Sequence, residues 1–190
     1  MKIAFVKKAG ICCALLALLA QAPGEVQGDS GKYTGLEDKV KSAFLYKFSK
    51  YVQWPDLDAS QDFKIAVLGD SPLLPLLEEI SGRPTDGKKI RVEHLRGVEE
   101  IGSCQILFIP AGEKERIDGI LKKVAGRSIL TVGESKGLAA RGVAVNFVVV
   151  EGRLRFEINR RAAARAGLQI SSELLKLAIL VEGGPDNVQP

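Results

Sequence analysis

The sequence predicts an α/β fold: a single three-layer domain, with a mostly parallel sheet flanked by helices and a C-terminal antiparallel β-hairpin. Three observations predict it. Short continuous apolar runs (FKIAVL, QILFI, SILTV) alternate with helical stretches, as strands buried on both faces do. Near the C-terminus, Glu151-Gly152 separates two β-rich runs by a two-residue hairpin turn. Removing an N-terminal leader leaves roughly 160 residues, enough for one self-supporting core and too few for two ordinary domains.

The elements follow in order. Lys2, Lys7 and Lys8 precede an apolar run from Ala9 to Ala20, too short to span a bilayer and the length of a secretory core segment. Residues 1–28 therefore read as a secretory signal peptide and 29–35 as a flexible lead-in. An α/β domain is expected over 36–182, with a frayed tail over 183–190. The first helix is VKSAFLYKFSKYVQWP, which holds five of the chain's eleven aromatic residues, including its only Trp. At 100° per residue Val40, Phe44, Leu45, Phe48, Tyr51 and Val52 fall in one arc, interrupted only by Lys41. Tyr46 lies among the cations on the other side. Pro55 restricts Trp54 to extended backbone, so the helix should stop near Gln53.

Phe63 to Leu68 is the first strand. It ends in Gly69-Asp70-Ser71-Pro72, where Asp70 or Ser71 can cap a helix running to about Ile80. Ile90 to Leu95 alternates as a second strand, and Gln105 to Ile109 is a third. An amphipathic helix over 113–124 and a buried strand over 128–132 follow. Val143 to Val150 and Leu154 to Ile158 form the hairpin, with Arg153, Arg155 and Glu157 on its wet face. Asn159 caps a short helix stopped by Gly167, and Ser171 or Ser172 caps a final one carrying Leu174, Leu175, Leu177 and Ala178.

Composition excludes more than it selects. The whole chain carries net charge +4, and loss of residues 1–28 removes three Lys and one Glu, leaving 24 cations against 22 acids. That balance does not suggest nucleic-acid binding, which needs a clustered basic footprint. His94 is the only histidine, so no His cluster holds a metal, and a serine triad would have to use it although no serine sits in a nucleophile-elbow context. Cys104 alone survives signal removal, so the mature chain forms no intramolecular disulfide. It leads into a buried strand, where cysteine behaves as an inert hydrophobe. No cofactor motif is present, because the turn at Gly69, Asp70 and Ser71 lacks phosphate-loop spacing. It remains a candidate ligand crevice, since it sits at the carboxyl edge of the expected sheet. The expectation is a binding protein and not an enzyme.

Several segments together resemble the YfiR family: VKSAFLYKFSKYVQWP, FKIAVLGDSP, CQILFIP, ILTVGES and RFEINRRAAARAGLQISSELLKLA. The resemblance covers nearly the whole mature chain in the same order. It implies a periplasmic regulatory domain that often self-associates, with no stable membrane insertion after signal cleavage. In the best-known members the implied partner is an inner-membrane diguanylate cyclase, repressed through its periplasmic sensor region to restrain c-di-GMP output and biofilm formation. The family's namesake carries disulfide pairs that this chain cannot make. Tyr46, Tyr51 and Trp54 are the expected contact or pocket aromatics, with Arg153 and Arg155 as secondary contacts, because aromatics and Arg dominate interface energetics. The alternative is a periplasmic receptor for a small anion in the crevice at Gly69, Asp70 and Ser71.

Overall fold

A computed structural model describes residues 30–55 and 61–183; the expected signal peptide lies outside the described residues. The elements in order are α1 (Ser30–Tyr51), β1 (Val52–Gln53), β2 (Phe63–Leu68), α2 (Leu73–Glu78), β3 (Pro84–Thr85), β4 (Lys88–Leu95), β5 (Ile106–Ile109), α3 (Ile117–Val124) and β6 (Leu130–Gly133). Then come β7 (Val145–Val150), β8 (Arg153–Asn159), α4 (Arg160–Arg165), β9 (Gln169–Ile170), α5 (Ser172–Leu177) and β10 (Ile179–Val181).

An eight-stranded sheet has the order β10-β8-β7-β6-β5-β2-β4-β3. From β4 to β7 every neighbouring pair is parallel, and the β7–β8 hairpin is antiparallel. The chain leaves β2 towards β4 on one side and then crosses to β5 on the other, so the strand order reverses at β2. Alternation along β2 shows why its run is apolar throughout. Phe63, Ile65 and Val67 enter one core cluster with Leu45 and Phe48 of α1 and Leu73 and Leu77 of α2. Ala66 and Leu68 enter a second, with Ile117, Ile120 and Val124 of α3. The three layers expected from the sequence are present.

Local chemistry sets the connections. Glu151 and Gly152 both take positive φ, 50° and 70°, the backbone of a two-residue turn matched to strand twist. The Asn159 side chain accepts from Ala162 N at 2.9 Å and caps α4, and Ser171 Oγ accepts from Leu174 N at 3.2 Å and caps α5.

Several boundaries differ from expectation. α1 already runs through 30–35, the segment expected as a flexible lead-in. It stops at Tyr51, two residues early. Val52 and Gln53 turn extended to pair with Ile170 and Gln169 of β9, which uses their backbone groups before Pro55 can obstruct a helix. α2 ends at Glu78 and not near Ile80. The helix expected over 113–124 begins as a 3₁₀ turn, Ala111–Arg116, before α3. The frayed tail was expected from Gly183, but that residue is buried and its carbonyl accepts from Asn159 Nδ2 at 2.9 Å. β10, an edge strand parallel to β8, had no counterpart in the sequence reading.

Candidate functional site

α1 spans the sheet from its carboxyl edge to its amino edge, so one helix positions most candidate residues. Phe44, Leu45, Phe48 and Val52 of its apolar arc face the core, whereas Val40 and Tyr51, expected in the same arc, are exposed. Phe48 lies 6.1 Å from the Phe147 ring and 5.8 Å from Phe156, and Phe44 lies 5.2 Å from Phe156. The opposite side borders a groove of about 460 Å³ between α1 and α2. Tyr46 and Tyr51 line it, with the cations Lys39, Lys47, Lys50 and Arg83 and the single carboxylate of Glu79. Tyr46 is half-buried and donates its hydroxyl to the Pro84 carbonyl at 3.0 Å. Lys50 Nζ sits 5.0 Å from the Tyr46 ring, within cation–π range. Beside it Ser49 Oγ and Thr85 Oγ1 share a buried hydrogen bond of 2.8 Å, so α1 is pinned to β3. Tyr51 is exposed, with its ring open to a partner.

Trp54 belongs to a different surface. It is half-buried at the amino edge, donates Nε1–H to the Gln105 carbonyl at 3.2 Å and stands edge-on to Phe63 with ring centroids 5.0 Å apart. It therefore walls two hollows: one with Ser49, Phe63 and Thr85, the other with Cys104, Arg127 and Ser128. Cys104 is buried, and desolvation pushes its thiol up to about 12, only partly offset by the positive charge of Arg127. At neutral pH it is a protonated, weakly nucleophilic thiol.

Lys41, the intruder in the apolar arc, reaches the carboxyl edge. Its ammonium lies 2.8 Å from Glu134 Oε2, just beyond β6, and 2.8 Å from Glu37 Oε1, with Asp38 at 3.9 Å. Glu134 also accepts from Ala111 N at 3.1 Å, beyond β5. Burial pushes the Lys41 pKa down, but the hydrogen bonds and charges of Glu134 and Glu37 outweigh it and hold the pKa above its ordinary value. Asp38 is shifted up, chiefly by desolvation and against the pull of Lys41. Sequence reasoning missed this clasp. The signal was a single Lys inside an apolar stripe, which needs a carboxylate partner if it is buried.

The candidate crevice at Gly69, Asp70 and Ser71 lies at the reversal of strand order. Gly69 has φ +69°, and a Cβ placed there would stand 2.7 Å from Glu113 Oε1. Its carbonyl meets His94 Nε2 at 3.0 Å. Ser71 Oγ accepts from Leu73 N at 3.2 Å, and Asp70 is exposed. An anion seated on this turn would face the Glu113 carboxylate, which is itself paired with Arg116 at 3.4 Å.

Arg153 and Arg155 are exposed on β8, but not beside α1. Phe156 points to α1, and strand alternation turns both arginines to the opposite face of the sheet. The fold thus brings Tyr46 and Tyr51 together, sets Trp54 at an edge, and places the two arginines across the sheet. Among the described residues no group of three or more His, Cys, Asp and Glu could hold a metal ion, and no helix is long and apolar enough to cross a membrane. The model of the YfiR/HmsC-like family matches residues 38–179, from Asp38 of α1 to the first residue of β10. With the match covering most of the sequence in one continuous stretch, the chain belongs to the YfiR/HmsC-like family.

Proposed function

We propose that this protein is a periplasmic regulator of c-di-GMP signalling that binds the sensor region of an inner-membrane diguanylate cyclase and represses it. The observation that carries the reading, beyond family membership, is the α1–α2 groove. It presents exposed Tyr51 and the Tyr46 ring among four cations and one acid, suited to an acidic, partly apolar partner surface. A repressor needs no chemistry of its own. It needs greater affinity for the inactive state of its target than for the active one. Arg153 and Arg155, on the opposite face of the sheet, serve a second contact or self-association.

The test is c-di-GMP in cells lacking this protein, complemented with wild type, with Tyr51→Ala plus Lys47→Glu, or with Arg153→Glu plus Arg155→Glu. Deletion should raise c-di-GMP; wild type should lower it again fully and the hairpin variant in part. The α1 variant should fail while accumulating as folded protein. If only the hairpin variant fails, the contact lies on the other face of the sheet. Unchanged c-di-GMP on deletion would remove the repressor reading altogether.

A further inference from the structure

Along the amino edge of the sheet runs a trough that the regulatory reading leaves unused. A cavity of about 840 Å³ opens between the C-terminal end of α3, the start of β6 and α4. Its floor is aliphatic: Leu121, Val124 and Ile129. Its rim carries Lys122, Arg127, Arg141 and Arg165, with Asp118 as the one carboxylate lining it. Asp118 is strongly exposed and is held 3.0 Å from Arg141 Nη2. Arg127 is fixed in place by donating to the carbonyls of Ile101 and Gly102. Gly126, Arg127 and Ile129 also line the neighbouring hollow of about 250 Å³ that Trp54 walls.

We infer that this trough binds a small amphiphilic anion, a compound with an acidic head and an aliphatic body. The volume falls in the range of small-molecule pockets, roughly 300–1,000 Å³. Apolar floor and cationic rim divide the ligand between them: the chain covers Leu121, Val124 and Ile129, and the head meets Arg141 or Arg165. Arginine suits a carboxylate because its planar guanidinium offers paired donors. A peptide adding as a strand fits less well, because the walls are strand ends and helices, and neither edge strand of the sheet, β10 or β3, lines the cavity. The inference does not rest on the cyclase reading and would hold for a receptor of another output.

Trp54, the only tryptophan, lies in the neighbouring hollow and reports on the trough through the Gly126–Ile129 wall the two share. The experiment titrates the purified protein with decanoate, following Trp54 emission and the thermal midpoint, with butyrate, decanol and decyltrimethylammonium in parallel. Decanoate should saturate below its micellar range and raise the midpoint, with each control at least about tenfold weaker, the loss expected when one charged contact is removed. Arg141→Glu plus Arg165→Glu should weaken decanoate by a similar factor while retaining wild-type circular dichroism. Ala125→Phe, at an exposed lining position, should block the trough without touching a charge. Equal binding of decanoate and the ammonium compound, or undiminished binding by both variants, would overturn the inference. So would decanoate failing where an acidic peptide binds.

Discussion

The two edges of the sheet are built in opposite ways. At the carboxyl edge, where α/β folds ordinarily hold ligands, charged side chains pair across the strand ends: Lys41 reaches Glu134 and Glu37 beside a hollow of about 360 Å³, and Glu113 lies over Gly69. At the amino edge, α1 has ended, and what remains between Trp54 and α4 is open volume rimmed by cations. The ligand rule for such folds depends on free space and unspent N–H groups beyond the strands. A helix that precedes the first parallel strand and crosses the whole sheet can narrow the first, as Lys41 and Glu37 of α1 do here. Fold class alone therefore does not place a site in this chain.

Lys41→Met should break this contrast most severely. It leaves the carboxylates of Glu134, Glu37 and Asp38 together without their cation, and loss of one partner of a buried pair costs about 3 kcal/mol. Urea unfolding measures it, and adding Glu134→Gln should restore part of the loss, because the two changes are coupled. Trp54→Ala at the open edge should cost less, about 2 kcal/mol, since the indole is only half-buried. A thermal midpoint unchanged by that substitution would make Trp54 a contact residue alone. Gly69→Ala should cost about 1–2 kcal/mol, because φ +69° suits Gly and the new methyl must displace Glu113. Tyr51→Ala should stay within about 0.5 kcal/mol, and any loss of partner binding it causes is then a contact effect.

The two edges also share a pH dependence. The Lys41 pKa is raised on folding, so its contribution is full below 10.5, its unfolded value, and is lost as pH rises through the folded one. The Cys104 thiol is raised from 9.0 to about 12, so the unfolded chain releases that proton first and stability falls across this range. Both effects run the same way. The urea midpoint should drop steeply above pH 9, and Cys104→Ala should flatten the early part of the fall. At pH 8 the native thiol should resist iodoacetamide for as long as the fold persists.

The sequence made the sheet legible because its strands are buried on both faces. FKIAVL, QILFI and the Glu151-Gly152 turn leave little choice of element or order. The short pairings were hidden: β1 with β9, β3 with β4 and β10 with β8 involve two or three residues each, too few for a period to show. The candidate aromatics were recognisable as a group, but their division between two surfaces was not. Tyr46 and Trp54 are eight positions apart, and Pro55 with the β1–β9 pairing carries the second away from the helix face of the first. Arg153 and Arg155 were correctly placed on an exposed strand face, whereas which side of the molecule that face occupies depends on strand order. The trough went unseen because Leu121, Arg141 and Arg165 come from three separate elements, and only tertiary structure assembles them.

The clasp between Lys41 and Glu134 joins residues 93 positions apart, and the aromatic rings under α1 come from the hairpin that is made later still. A chain emerging from its N-terminus therefore presents α1 long before Phe147 and Phe156 exist to pack on Phe44 and Phe48. Until the hairpin arrives, that helix is an amphipathic segment with its greasy side in water, suited to a holding chaperone and vulnerable to premature release. Pulse-labelling hydrogen exchange during refolding should find the α1 amides protected last, after those of β2, β5 and β6. The same element that closes the finished molecule is thus the one that makes its assembly wait.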